Sequence, residues 1–388
     1  MFLDMPHQTL PPVQAPKIPN PNPNPVLDLS AIASVGDYEA PAKQLLDPSI
    51  WAYLDGAAAD GITHERNLQE MERLALWPRA MRNASGGDMS TTLLGQTFPH
   101  PIFIAPTAYH QLAHPDGELA TVTAATALQS CMVVSTLSSL SMESIAAAAQ
   151  TPLWFQLYIQ RRRDVTLDLV RRAEQSGYQA IVVTVDAPVE GMRNAQQRHG
   201  FRIPPHVRAE NLAPYPSEPQ AVLGISDSFF ESSLVRNAPT WDDFAWLANQ
   251  TKLPFIAKGI LHPLDVQSAL DAGAQGIIVS NHGGRVLDAT PATIEALPYI
   301  AEAVGGRVPI LMDGGIRRGT DVLKALALGA QAVMVGRPIF HGLAVAGSTG
   351  VAHILHLLRT ELAMAMVLCG IRSLSQVTPA LLSPVKRR

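Results

Sequence analysis

A histidine and an arginine stand three residues apart in the segment Ser-Asn-His-Gly-Gly-Arg at residues 280–285. An imidazole with a pKa of about 6.5 can accept a proton at neutral pH, and a carboxylate beside it stabilises the imidazolium ion. His282 is therefore a candidate base, and Asp186 is a candidate for that carboxylate. The guanidinium of Arg285 suits a bidentate contact with a substrate carboxylate. A lone histidine is more often structural than catalytic, but these neighbours favour the catalytic interpretation.

Glycines followed by arginines further along the chain could hold a phosphate group. The segment Asp-Gly-Gly at residues 313–315 precedes Arg317, and Gly336 precedes Arg337. Glycine lets backbone amides approach an anion without a Cβ in the way, and the arginines would add charge-assisted hydrogen bonds. Taken alone, residues 313–315 would also fit a structural turn. The two clusters together favour a phosphate site.

These residues follow short apolar runs that are typical of parallel strands buried on both faces. Amphipathic stretches such as 164–176 and 263–272 lie between most of the runs and indicate helices. The eight runs are Ile102–Ala105, Met132–Val134, Leu153–Leu157, Ala180–Val185, Pro254–Ala257, Gly276–Val279, Val308–Met312 and Ala332–Val335. This alternation predicts an α/β fold, a TIM (β/α)8 barrel, with a doubly wound open sheet as the alternative.

In such a barrel the loops after the strands open onto one face, so the polar residues that follow the runs converge. Lys258 directly follows the fifth run, where its charge would be costly to bury unless it faced a negative group. A phosphorylated redox cofactor and an acidic substrate are indicated by four features together: the candidate base, the arginine suited to a carboxylate, the predicted phosphate site and the buried lysine.

The remaining segments define the predicted domain boundaries. Residues 1–29 form an arm rich in proline and asparagine, which we expect to be flexible. Residues 30–380 form one barrel domain, whose N-terminal part at 30–80 has helical patterns. The insertion at 187–253, after the fourth strand, is too long for a plain connection and is predicted to be a mobile lid. Residues 381–388 form a basic tail.

The bulk composition of the 388-residue chain is that of a globular protein, with 47% hydrophobic and 16% charged residues. The formal net charge of −4 gives no basic field for nucleic acid. We find no secretory signal and no apolar run of about 20 residues, so we expect a cytoplasmic protein with no membrane partner. Cys131 and Cys369 are predicted to be buried free thiols, and no metal site is predicted.

The motifs resemble those of the FMN-dependent 2-hydroxy-acid oxidases and dehydrogenases, which include glycolate oxidase, lactate oxidase and mandelate dehydrogenase. The resemblance runs from about residue 30 to 380 and is most specific at 280–285 and 313–319. Shorter matches are Phe-Gln-Leu-Tyr at 155–158, Thr-Val-Asp at 184–186 and Gly-Arg-Pro at 336–338. Residues 108–110 and 135–139 look most like 4-hydroxymandelate oxidases.

The resemblance implies FMN as the cofactor and a role for each matching residue. His282 would be the base, paired with Asp186, and Tyr158 would hydrogen-bond the substrate hydroxyl or the developing oxo group. Lys258 would lie near flavin N1 and the C2 carbonyl and stabilise negative charge there. The other residues implied to bind the cofactor are Pro106, Thr107, Ala108, Ser135, Gln156, Thr184, Ser280, Asp313, Gly314, Gly315, Arg317, Gly336 and Arg337.

The resemblance also implies how the substrate is held. Arg285 and Tyr53 would grip its carboxylate, and Arg193 matches a lid-side arginine that assists them. Substrate choice should depend on Tyr109, Leu137 and the lid. Because Leu137 stands where glycolate oxidases carry a bulky aromatic residue, we expect room for an aromatic or medium-chain acid.

The implied reaction is the oxidation of an L-(S)-2-hydroxy acid to the 2-oxo acid, in which His282 removes a proton while flavin N5 receives two electrons. Whether the α-hydrogen leaves as a hydride or as a proton is open. O2 is the expected acceptor, giving H2O2, and the alternative is a dehydrogenase that uses a quinone or a cytochrome. Another type of FMN barrel enzyme, or a non-catalytic flavin-binding protein, would not need the histidine–arginine pair. The family also suggests a homotetramer.

Overall fold

Eight parallel strands form a closed barrel in the computed structural model, which describes residues 29–216 and 228–383. Two short antiparallel strands precede the barrel, β1 (Thr91–Leu93) and β2 (Gln96–Phe98). The barrel strands are β3 (Ile102–Ile104), β4 (Met132–Ser135), β5 (Leu153–Leu157), β6 (Ile181–Thr184), β7 (Phe255–Ile260), β8 (Gly276–Val279), β9 (Ile310–Asp313) and β10 (Ala332–Val335). They pair in chain order, and β10 closes the barrel on β3. The TIM barrel is confirmed and the open sheet is wrong.

Helices surround the barrel and precede it in the chain. The helices of the described residues are α1 (Glu39–Leu45), α2 (Pro48–Leu54), α3 (Ile62–Arg73), α4 (Gly117–Leu128), α5 (Met142–Ala148), α6 (Arg163–Gln175), α7 (Asn194–Arg198), α8 (Ser233–Arg236), α9 (Trp241–Ala248), α10 (Pro263–Asp271), α11 (Thr293–Val304), α12 (Gly319–Ala327) and α13 (Arg337–Leu368). The predicted helices at 30–80 correspond to α1–α3. The predicted arm, except Leu29, and residues 384–388 of the predicted tail lie outside the described residues.

The β1–β2 hairpin packs against the interior of the barrel at the amino ends of its strands. Phe98 contacts Phe103 and Trp154, with ring centroids 4.6 Å and 6.2 Å away. All three rings are buried, together with the free thiol of Cys131. Since side chains fill this end, the space left for a ligand lies at the carboxyl ends of the strands.

The described residues of the segment predicted as a lid fall into two different parts. Its last helix, α9, buries Phe244 and Leu247 in the ring of helices, and Phe244 packs on Phe255 of β7 at 5.7 Å. Helix α9 therefore belongs to the barrel. The chain ahead of it carries α7 and places Phe201 over the strand ends.

Helix α13 is long and apolar enough to cross a membrane by length and composition alone, the one such helix among residues 29–216 and 228–383. It bends at Ala346 and Gly347, where the backbone leaves helical geometry. One face is buried, with Leu343, Ile354 and Leu358 packed into the main core cluster, as in the core helix of a barrel.

Candidate active site

A cavity of about 840 Å³ lies at the carboxyl ends of the barrel strands. It is lined by every predicted site residue except Asp186, which lies behind His282, and Ser280. These lining residues are Tyr53, Pro106, Thr107, Ala108, Tyr109, Ser135, Leu137, Gln156, Tyr158, Thr184, Arg193, Lys258, His282, Arg285, Asp313, Gly314, Gly315, Arg317, Gly336 and Arg337. The volume falls in the range of pockets that hold organic ligands.

The candidate base and its carboxylate are in contact. Nδ1 of His282 lies 3.1 Å from Oδ1 of Asp186. Gly259 has φ +114°, and a Cβ there would lie 2.5 Å from the Asp186 side chain. Only glycine therefore fits where β7 passes this carboxylate. His282 itself is left-handed at φ 57°, and its N–H donates to Ser280 Oγ at 3.0 Å. The cost of that backbone, about 1–3 kcal/mol, is typical of a functional constraint.

Burial and charge set the protonation of this pair. Burial lowers the pKa of His282 below its ordinary value, although the charge of Asp186 opposes this effect. Burial disfavours the Asp186 carboxylate, but the charge and hydrogen bond of His282 outweigh it and lower the pKa of Asp186. The resting pair is therefore a neutral imidazole beside a carboxylate, which is the arrangement a general base requires.

Lys258 is buried in a network with two residues of the neighbouring strand ends. Its Nζ lies 3.1 Å from Oδ2 of Asp313 and donates to Oγ of Ser280 at 3.0 Å. The Ser280 hydroxyl in turn donates to Oδ1 of Asp313 at 2.7 Å. Burial opposes the charge of Lys258, but Asp313, followed by Asp186, raises its pKa above the ordinary value. Lys258 thus presents a fixed positive charge to the cavity.

Ser280 is predicted to contact the cofactor, and this contact stays a prediction. Its side chain is fully buried, does not line the cavity, and holds Lys258, Asp313 and the His282 backbone in place. The position of Ser280 at a strand end predicted a polar role, but the sequence pattern does not show in which direction the side chain points.

Two arginines and a pair of left-handed glycines form one end of the cavity. Gly314 and Gly315 have φ values of 92° and 82°. Arg337 donates to the carbonyl of Gly283 and to that of Gly56, both at 2.8 Å. Burial, followed by the charge of Arg285, lowers the pKa of Arg337 to about 9.

Arg317 is buried at the same end, and burial lowers its pKa. Burial is the largest cause for both arginines, and the nearby carboxylates do not offset it, so the protein leaves their charges incompletely neutralised. A bound anion would neutralise them, so this end fits a phosphate group. We call this part of the cavity, formed by Gly314, Gly315, Arg317 and Arg337, the phosphate end.

We expect Gly315→Ala to lower the free energy of unfolding by about 1–3 kcal/mol more than Gly306→Ala does. A Cβ at Gly315 would lie 2.3 Å from the carbonyl oxygen of Asn67, whereas nothing lies within 4 Å of one at Gly306. Both glycines have positive φ, so Gly306 controls for backbone strain alone. Urea unfolding of the two variants measures the difference, and equal losses would mean that contact with α3 does not require this glycine.

Polar side chains at the ends of β4, β5 and β6 form the opposite wall. Ser135 Oγ donates to Gln156 Oε1 at 3.2 Å, and Gln156 Nε2 donates to Thr184 Oγ1 at 3.0 Å. With the backbone of residues 106–108, this row offers hydrogen-bonding atoms to a polar ring system. A polar wall, a buried lysine and a phosphate end are the features that FMN requires, and the residues present fit it.

Arg285 faces the cavity beside His282 and is fixed by neighbours from the chain around α2. Its Nη1 donates to the carbonyl of Gly56 at 2.5 Å. Its guanidinium carbon lies 5.5 Å from the ring centre of Tyr53, a cation–π contact. Burial raises the pKa of Tyr53, so its hydroxyl stays a hydrogen-bond donor.

Arg193 enters from the chain that follows β6. Its Nε and Nη1 are buried and have no hydrogen-bond partner among the described residues, and the Glu190 carboxylate is 3.7 Å from Nε. Burial, followed by the charge of Arg285, lowers the pKa of Arg193 to about 10. Arg285 and Arg193 lie beside a base, and neither is hydrogen-bonded to a carboxylate among the described residues, so the two guanidiniums fit a substrate carboxylate. Tyr158 lines the same space, and burial, then Asp186, raise its pKa.

Two groups stand out among the cavity residues that sequence reasoning missed. Phe201 stacks on Tyr53 with ring centroids 4.5 Å apart, and its only sequence signal was its place in the predicted lid. His64, Asn67 and Leu68 line the cavity from one face of α3. Their spacing of three and four residues could have identified a shared face, but nothing local shows that this face meets the barrel.

Comparisons with known proteins agree with this geometry. The family model described as FMN-dependent dehydrogenase matches residues 42–384. An L-lactate oxidase of Alicycliphilus denitrificans is 45% identical over 348 residues, covering 90% of this chain and 95% of the relative. A peroxisomal (S)-2-hydroxyacid oxidase of Arabidopsis thaliana is 43% identical over 353 residues, covering 90% and 96%. A solved structure, mandelate oxidase with (S)-2-phenylpropionate, superposes with a TM-score of 0.81 at 40% identity, covering 90% of this chain and 98% of that one.

Proposed function

Because the chain belongs to the FMN-dependent dehydrogenase family, we propose that it oxidises an (S)-2-hydroxy acid to the 2-oxo acid and passes the electrons to O2. The observation that carries this proposal is the contact of His282 with Asp186 beside Arg285 and Arg193 in one cavity. A neutral base next to two guanidiniums suits a substrate that must be held by its carboxylate and lose a proton.

FMN would be held in the cavity by the residues predicted for it, apart from Ser280, which does not line the cavity. The phosphate would lie at the phosphate end, against the backbone of Gly314 and Gly315 and beside Arg317 and Arg337. The ring would lie against Gln156 and its neighbours, with Lys258 supplying a positive charge. When bound, FMN supplies the two-electron acceptor, which O2 reoxidises with formation of H2O2.

The chain's own residues would bind the substrate and move its protons. Arg285, with Arg193 and Tyr53, would hold the carboxylate and so orient the carbon that is oxidised. Nε2 of His282 would take a proton from the substrate, and the Asp186 carboxylate would stabilise the resulting imidazolium. Tyr158 would donate a hydrogen bond to the substrate oxygen.

One experiment tests cofactor, substrate and acceptor together. The purified protein is mixed without oxygen with glycolate, (S)-lactate and (S)-mandelate, and flavin absorbance is followed before air is admitted. We expect the absorbance to bleach with at least one acid and to return in air with stoichiometric H2O2. Bleaching without reoxidation by air would favour the dehydrogenase, and protein that takes up no FMN would contradict the proposal.

We propose that the substrate is an aromatic or medium-chain acid. Leu137 lines the cavity near Tyr109 and Phe201, and its backbone is fixed by hydrogen bonds to Tyr109 N–H and Ser135 Oγ, both at 3.1 Å. The apolar walls around it, with Phe201 stacked on Tyr53, suit an apolar substituent.

We expect Leu137→Trp to lower kcat/KM for (S)-mandelate at least about 10-fold relative to kcat/KM for glycolate. The indole would occupy the space proposed for the larger substituent, while glycolate carries none. Steady-state rates with both acids give the ratio, and glycolate serves as the internal control for general damage. An unchanged ratio, or fastest wild-type turnover on glycolate, would contradict this assignment of the substrate pocket.

We further propose that the protein is a cytoplasmic homotetramer. Family resemblance supports the tetramer. Light scattering of the full chain measures the mass in solution, and a monomer or dimer would contradict the assembly.

A further inference from the structure

One histidine in the cavity has no role in the proposed reaction. His64 lies in the first turn of α3, lines the cavity, and is only partly exposed. Its ring makes no hydrogen bond with any residue in the described ranges, although most of its surface is removed from water. A polar ring in this position is satisfied only by a ligand or by water.

The position of His64 places it at the phosphate end. Gly284 packs directly on it, since a Cβ on that glycine would lie 2.7 Å from the His64 backbone nitrogen. Asn67, one turn further along α3, packs on Gly315 in the same way, with its carbonyl oxygen 2.3 Å from a Cβ built there. His64 and Asn67 line the cavity from the same face of α3, and Asn67 packs on Gly315 of the phosphate end, so His64 faces the cavity next to that end.

The charges around His64 are mostly positive. Arg337, Arg317 and Arg285 all act on it, and Asp55 is the opposing carboxylate. Asp55 is already engaged, with Oδ1 3.2 Å from His341 Nε2 and 3.9 Å from Arg337 Nε. Burial, followed by the charge of Arg337, lowers the pKa of His64 to about 3. The His64 ring is thus neutral near pH 7 when no anion is bound.

We propose that His64 is a further ligand of the cofactor phosphate, to which its protonated ring donates a hydrogen bond. The inference rests on the proposed function only in taking FMN as the cofactor. The phosphate of FMN carries close to two negative charges above pH 7, so its arrival cancels the net positive charge of the three arginines and Asp55 and raises the pKa of His64. Binding then takes up a proton, and FMN affinity falls as pH rises through the pKa of His64 in the complex.

The test compares FMN with riboflavin, which has the same ring and no phosphate. Apoprotein is titrated with each flavin at pH 7 and pH 9, and quenching of flavin fluorescence gives Kd. For His64→Leu we expect the Kd of FMN to rise about 10-fold to 100-fold and that of riboflavin to change less than about twofold. His64→Gln keeps a donor without a titrating group, so it should lose less affinity and show a weaker pH dependence than the wild type.

A matched control removes an exposed positive charge two residues away. Arg66 lies on the outer side of the same turn, near Glu295, and Arg66→Gln should leave both Kd values unchanged. Thermal unfolding by circular dichroism shows whether each variant is folded. Equal losses for FMN and riboflavin, or no loss for FMN in a folded His64→Leu protein, would overturn the assignment. Wild-type protein that binds neither flavin would instead refute the proposed function, so the two failures are distinguishable.

Discussion

His282→Gln is expected to lower kcat about a thousandfold while the protein still binds FMN. Glutamine has similar size and polarity but cannot accept a proton at neutral pH. FMN should remain bound because the phosphate end and Lys258 are unaltered, and Ser280 still accepts from the backbone of residue 282. Stopped-flow reduction with the best substrate measures the rate, and the visible flavin spectrum shows the cofactor.

His206→Gln is a matched control, because this exposed histidine lies in the chain after β6 and away from the catalytic pair. Its rate should equal that of the wild type. Full activity of His282→Gln would contradict the assigned base, and loss of bound FMN would show that the residue is needed for the cofactor instead.

The pH profile gives a second measurement of the same residue. A base works in its unprotonated form, and burial lowers the pKa of His282, so this histidine stays neutral to lower pH than a free one. We therefore expect wild-type kcat/KM to stay level from about pH 8 down to about 6.5 and to fall only in more acid solution. A fall centred well above pH 6.5 would be inconsistent with this environment.

The barrel could be predicted because each buried parallel strand leaves a continuous apolar run in the sequence. All eight runs became barrel strands, with small shifts at their ends. The rule that chemistry follows the strand ends then located the polar residues after the strands that line the cavity, including Lys258, His282 and Arg285. The β1–β2 hairpin was missed because strands of three residues carry too little pattern to distinguish them from a loop.

The contribution of α3 could not be predicted, because it depends on contacts between distant segments. Nδ2 of Asn67 donates to Oδ1 of Asn281 at 2.9 Å, and Nδ2 of Asn281 donates to Oδ1 of Asn67 at 2.8 Å. This reciprocal pair attaches α3 to the loop that carries His282 and brings His64 into the cavity. Nothing in the sequence around either asparagine indicates the other.

Arg285→Met should lower kcat/KM about a thousandfold for a 2-hydroxy acid but only severalfold for its methyl ester. The side chains have similar length, but methionine cannot form the charge-assisted pair with a carboxylate. Loss of one partner of a desolvated charge pair typically costs about 2–5 kcal/mol. The ester lacks the charge, so its rate reports any other damage, including the lost hydrogen bond to Gly56.

The two substrates and two proteins form a double-mutant cycle that isolates the carboxylate contact. The four values of the cycle are kcat/KM of the wild type and of Arg285→Met, each with (S)-mandelate and with methyl (S)-mandelate. Arg285→Lys keeps the charge without the planar fork and should fall between the wild type and Arg285→Met. Equal losses for acid and ester would mean that Arg285 supports the loop rather than the substrate. The carboxylate would then have to be held by Arg193, whose buried Nε and Nη1 have no hydrogen-bond partner among the described residues.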